Sequence, residues 1–214
     1  MKKLKSVSWI CIFLVVSSFT GCLDDIIGKE EINNNNRNTG LNKYCIDFDD
    51  KERCWLLLVP ENIDYSKESP LVIDMHGIGG NMYLQHNLTR FANVSEEHGV
   101  YVVYPQGHNN EWNMGDDICC GDDDDFGFII EMIEIIKQKY TVDESRIYST
   151  GWSNGCGMTQ RLAAQASEIF AAAACSSMYF MDDPTADYSP IPFMEIHGLV
   201  DELVHYPTVS LVGF

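Results

Sequence analysis

The stretch best suited to chemistry is Gly151-Trp152-Ser153-Asn154-Gly155. A serine hydroxyl is a weak nucleophile until it is fixed beside a base and faces donors for the oxyanion it creates. These five residues lie between residues 146–150, which read as a strand, and residues 157–167, which read as a helix. Glycines two before and two after the serine let the backbone turn sharply where side chains would collide. Such a turn lifts the Ser153 hydroxyl above a sheet edge and points it at a helix N-terminus. There the amide of Asn154 can donate to an oxyanion, so Ser153 is the candidate nucleophile and Asn154 a candidate donor.

Two further motifs follow apolar runs. His76-Gly77-Ile78-Gly79-Gly80 comes after residues 70–75, placed to supply the second oxyanion amide. Ile78 is the expected donor and Gly79 its near alternative. His197-Gly198-Leu199-Val200-Asp201 comes after residues 192–196. A carboxylate beyond a strand end, later in the chain than the nucleophile, is where an acid that orients a histidine belongs, so Asp201 is the candidate acid. Asp182, Asp183 and Asp187 also follow Ser153, but in a proline-bearing loop that reads as surface. His197 reads as a structural histidine of the strand end. His76, His86, His98 and His108 precede the serine, against the order nucleophile, acid, histidine. His205 follows Asp201 by four residues, too few to reach back toward Ser153 unless the loop folds tightly. The expectation is therefore that the triad histidine is missing. Residues 207–214 read as a helix start, and the chain reads as truncated before a last strand and helix.

The elements that must position these residues alternate in type. Residues 44–59 read as a strand hairpin whose Cys45 and Cys54 could bridge. Residues 70–75 and 99–105 read as buried parallel strands, and residues 87–98 and 126–140 as helices. The acids of residues 122–125 read as a solvated helix cap. The rhythm predicts an α/β protein of the α/β-hydrolase fold, a mostly parallel sheet flanked by helices, in one domain over residues 41–214. Ahead of it, residues 1–21 read as a signal peptide, with basic residues and then an apolar stretch too short to span a bilayer comfortably. Cys22 stands where a lipidated cysteine would, which allows membrane attachment through a lipid. Residues 22–40 are Asn-rich and read as a disordered linker. The chain is thus expected to be exported. Of eight cysteines, Cys45, Cys54, Cys119, Cys120, Cys156 and Cys175 lie beyond Cys22, an even six that permits disulfides there, and the spacing suits no zinc site, so no metal is expected. A net charge of −18 over 214 residues argues against a nucleic-acid partner.

Together these segments resemble the polyhydroxybutyrate depolymerase and feruloyl esterase family of secreted α/β-hydrolases. The resemblance runs over about residues 54–206 and is carried by LVIDMHGIGGN, by YPQGHNNEWNMGDDICCG, by GWSNGCGM and by MEIHGLVDELVHY. It implies that Ser153 is the nucleophile and Asp201 its acid. It sets Trp112 and Asn113 near the substrate cleft, with His76, Gly77 and Trp152 also expected there. It further implies hydrolysis of esters of hydroxy or aromatic acids, on a polyester or an esterified polysaccharide, without a cofactor and by a monomer. The chain departs from the family's usual pattern at Trp152, where a smaller residue is commoner, and at Cys156, where glycine is commoner. A serine peptidase of the prolyl oligopeptidase type and a catalytically dead surface binding module are the alternatives.

Overall fold

In the computed structural model of the chain, residues 38–115, 120–179 and 184–206 are described. The expected signal peptide, Cys22, most of the linker, Asp182, Asp183 and residues 207–214 lie outside the described residues. The chain enters the sheet through a hairpin of β1 (Gly40–Phe48) and β2 (Lys51–Val59). Asp49 and Asp50 join the two strands at φ 52° and 57°. Positive φ at both loop positions gives the primed turn whose twist matches that of paired strands. Cys45 lies opposite Cys54 in the ladder, and the expected disulfide joins them.

Five further strands complete the sheet: β3 (Ser69–Met75), β4 (Tyr101–Pro105), β5 (Val142–Trp152), β6 (Ala172–Ser176) and β7 (Phe193–Ile196). Their spatial order is β1-β2-β4-β3-β5-β6-β7. The hairpin and the β2–β4 pair are antiparallel and every other pairing is parallel. From β3 the chain passes first to β4 on one side and then to β5 on the other. That reversal opens a crevice at the C-terminal ends of β3 and β5, where ligands of such sheets bind.

Four helices pack on the two faces. On one face α3 (Asp125–Lys139) and α4 (Asn154–Gln165) cover Leu57, Leu71, Ile73, Tyr101 and Val103, through residues such as Phe128, Met132, Met158 and Leu162. On the other, α1 (Met82–Thr89) and α2 (Phe91–His98) lie over Leu56, Leu58, Val102 and Tyr104. Burial on both faces explains why these strands are apolar runs rather than alternating ones. The single helix expected over residues 87–98 is in fact two. Arg90 sits at φ 58°, ending α1 and starting α2, so the helical register breaks there.

The acids at the start of α3 divide their work. Asp124 caps the helix by accepting from the N–H of Gly127 at 2.8 Å. Asp125 is buried and pairs with buried Arg53 of β2, whose guanidinium also lies 4.0 Å over the Phe128 ring. Asp123 accepts from Lys51 and pairs with His108 at 2.7 Å.

Candidate active site

The turn at Ser153 is built by steric exclusion. Ser153 has φ 52° and ψ −128°, a conformation costly for a non-glycine residue and found mainly where the surroundings enforce it. A β-carbon on Gly151 would meet the Gly155 carbonyl oxygen at 2.5 Å. One on Gly155 would meet the carbonyl oxygens of Met75 and His76 at 2.4 and 2.5 Å. Both positions thus require glycine so that β5, α4 and the end of β3 can touch backbone to backbone. The Ser153 N–H donates to the Ser176 carbonyl at 2.8 Å, and the Ser153 carbonyl accepts from Cys156 N–H at 2.8 Å. A disulfide from Cys156 to Cys175 ties α4 to β6 just behind the turn. Asn154 opens α4, so its amide is one of the helix-end N–H groups without an intrahelical acceptor.

The His76–Gly80 loop packs directly on this turn. A β-carbon on Gly77 would lie 3.1 Å from the Trp152 indole and 3.4 Å from Ser153 Cβ. The Gly79 N–H is engaged with the Asn110 carbonyl at 2.7 Å, and the Gly80 N–H with the Gly77 carbonyl at 2.9 Å. Ile78 and Trp152 are exposed, as residues that meet a ligand must be. His76 is buried instead. Its Nδ1 lies 2.8 Å from the Gly77 carbonyl, and its Nε2 accepts from the Gly107 N–H at 3.0 Å. These partners fix a neutral ring protonated on Nδ1, and burial lowers its pKa below the usual value.

Trp112 and Asn113, expected near the substrate cleft, are both tied into the fold. Trp112 is fully buried, and its indole N–H donates to the His76 carbonyl at 2.8 Å. Its backbone exchanges two hydrogen bonds with the buried Asn154 side chain, at 2.7 and 2.8 Å. The Asn113 N–H donates to Asp125 Oδ2 at 2.8 Å, and its carbonyl accepts from Arg161 at 3.0 Å. The Asn154 side chain therefore locks the loop after β4 to the start of α4. The sequence carried no direct sign of that pairing, which spans 42 residues.

Asp201 lies on the turn after β7. Its Oδ1 accepts from the N–H groups of Leu203 and Val204, each at 3.0 Å. The Val204 and Leu203 amides hold its carboxyl below the usual carboxylate range, helped by nearby His197 and His205. The strand ends are stitched in sequence: Ser153 N–H to the Ser176 carbonyl, then Ser177 N–H to the Ile196 carbonyl at 3.1 Å. β5 and β7 are therefore two strand spacings apart, about 10 Å. Among the histidines, His76 is locked in place, His108 pairs with Asp123, and His86 packs edge-on against Tyr104. His205 is exposed four residues beyond Asp201.

A family model described as Esterase PHB depolymerase matches residues 54–204. The chain is 30% identical to feruloyl esterase B of Piromyces equi over 156 residues, 69% of this chain and 29% of that one. It is 28% identical to a bifunctional acetylxylan esterase/xylanase of Neocallimastix patriciarum, over 71% of this chain and 22% of that one. The chain thus spans less than a third of the length of these two relatives. Among solved structures, a thermostable esterase superposes with a TM-score of 0.67 at 23% identity, over 77% of this chain and 48% of that one. The acetyl xylan esterase from Aspergillus awamori gives 0.63 at 20%, over 77% and 74%. These likenesses identify the α/β-hydrolase fold.

Proposed function

The chain belongs to the esterase PHB depolymerase family, and from that premise we propose that it is an exported serine esterase. Ser153 Oγ attacks the carbonyl carbon of a carboxylic ester and gives its proton to a general base oriented by Asp201. The N–H groups of Ile78 and Asn154 donate to the tetrahedral oxyanion, each contributing about 3 kcal/mol of transition-state stabilisation. Collapse expels the alcohol as it takes the proton back, leaving an acyl-enzyme that water hydrolyses. The observation that carries this reading is the enforced turn: backbone contacts at Gly151 and Gly155 hold Ser153 at the start of α4 and against the His76–Gly80 loop.

The relatives named as feruloyl and acetylxylan esterases point to esters borne on plant polysaccharide as the substrate class. The Cys45–Cys54 and Cys156–Cys175 disulfides suit an oxidising, extracellular setting. A lipid on Cys22 that tethers the domain to a membrane surface is the accompanying proposal. The test is cleavage of p-nitrophenyl acetate and of methyl ferulate by the full-length protein. Ser153→Ala is expected to abolish both activities, and turnover that survives the substitution overturns the assignment.

A further inference from the structure

His197 ends up in an environment that a neutral histidine does not suit. It follows β7, and its side chain is only 2% exposed. Its Nδ1 lies 3.0 Å from Glu195 Oε1 and its Nε2 lies 2.7 Å from the Val204 carbonyl oxygen. A carbonyl oxygen only accepts, and so does a carboxylate. A neutral imidazole has one N–H, so it would satisfy one contact and turn a lone pair on the oxygen in the other. The doubly protonated ring satisfies both. Every charged or titratable neighbour is consistent with a cation here. Glu195 approaches from β7, Asp201 Oδ2 lies 3.6 Å from Nε2, and Tyr179 stacks flat on the ring at 4.8 Å and 6°. Tyr206 closes the other side at 5.5 Å, and His205 stands next to it in the chain.

We propose that His197 acts as a fixed cation that clamps the turn of residues 198–204 to β7 and so positions Asp201. The clamp itself follows from the two acceptors, and its link to catalysis rests on the reading of Asp201 given above. The bond to Val204 matters most, because the Val204 N–H is one of the two that hold Asp201 Oδ1. The carboxylate of Glu195 and the carbonyl of Val204 raise the His197 pKa above its usual value, against a smaller opposing effect of burial. A raised folded value means the clamp is complete below the ordinary histidine pKa of about 6.5 and lets go as pH rises through the folded value.

The test is a titration of the full chain labelled with nitrogen-15, following the His197 ring nitrogens and the exchange of the Leu203 and Val204 amides. Both ring nitrogens should be protonated at pH 7, with a midpoint above 6.5 that falls in Glu195→Gln. Exchange at the two amides should accelerate through that midpoint by more than the tenfold per pH unit of base catalysis alone. A single-tautomer neutral ring at pH 7, or amide protection indifferent to the ring's titration, overturns the proposal. Neither readout needs turnover. Loss of the esterase reading through an active Ser153→Ala would leave the clamp standing, and a neutral His197 would leave the esterase reading standing.

Discussion

Gly155 has little freedom to change. Its α-carbon faces two carbonyl oxygens at the end of β3, both backbone atoms that no rotamer change can move. Gly155→Ala is expected to cost about 3 kcal/mol or more, the upper range of overpacking, and to displace Ser153. Chemical denaturation with a parallel ester assay checks it: unchanged stability would mean the contact is not enforced. This stringency is also why the site was legible at this position. A backbone clash leaves glycine as the one residue that fits, so the requirement is written in the sequence as Gly151 and Gly155. Trp112 and Asn113 were not legible in the same way. Their side chains look suited to a ligand, yet the Trp112 indole donates to the His76 carbonyl, and the Asn113 side chain donates to the Asp123 carbonyl and accepts from the Gly115 N–H. Nothing local to residues 112–113 announces partners so far away in the chain.

Between elements, two buried carboxylates set the energetics. Asp125 joins α3 to β2 through Arg53, and it receives the Asn113 N–H as well. Asp125→Ala strands a buried guanidinium, which is expected to cost about 3–5 kcal/mol. Calorimetry should register this as a fall in Tm on the order of 10 °C. Asp74 joins β3 to α1, accepting from Gln85 at 2.7 Å and Thr89 at 2.6 Å. Burial outweighs those bonds and pushes its pKa up to about 6 from 3.8. The folded state therefore binds this proton more tightly than the unfolded one. Its contribution is full below pH 3.8 and disappears as pH rises through about 6, a swing of about 3 kcal/mol. Asp74→Asn should flatten urea stability between pH 4 and 7, with one amide oxygen still accepting. A mutant that keeps the wild-type slope would remove Asp74 as the cause. Strand placement was readable because burial on both faces forces long apolar runs such as Leu56 to Val59. The break at Arg90 was not, because residues 87–98 carry no glycine or proline where the backbone turns left-handed.

At the scale of the molecule, the described residues form one sheet whose chemistry gathers at one edge. Ser153, Ile78 and Asp201 come from loops after β5, β3 and β7, all at C-terminal strand ends. The parallel order of β3, β5, β6 and β7 is what brings these distant segments to the same side. The interlock at Gly151 and Gly155 has a practical corollary. Ser153 cannot shift without parting backbone atoms of the central strand, so the turn that carries it has no independent way to melt. Heat inactivation and loss of the circular dichroism signal should then trace one curve with a common midpoint. A protein that loses turnover several degrees before its sheet unfolds would show that some other loop fails first.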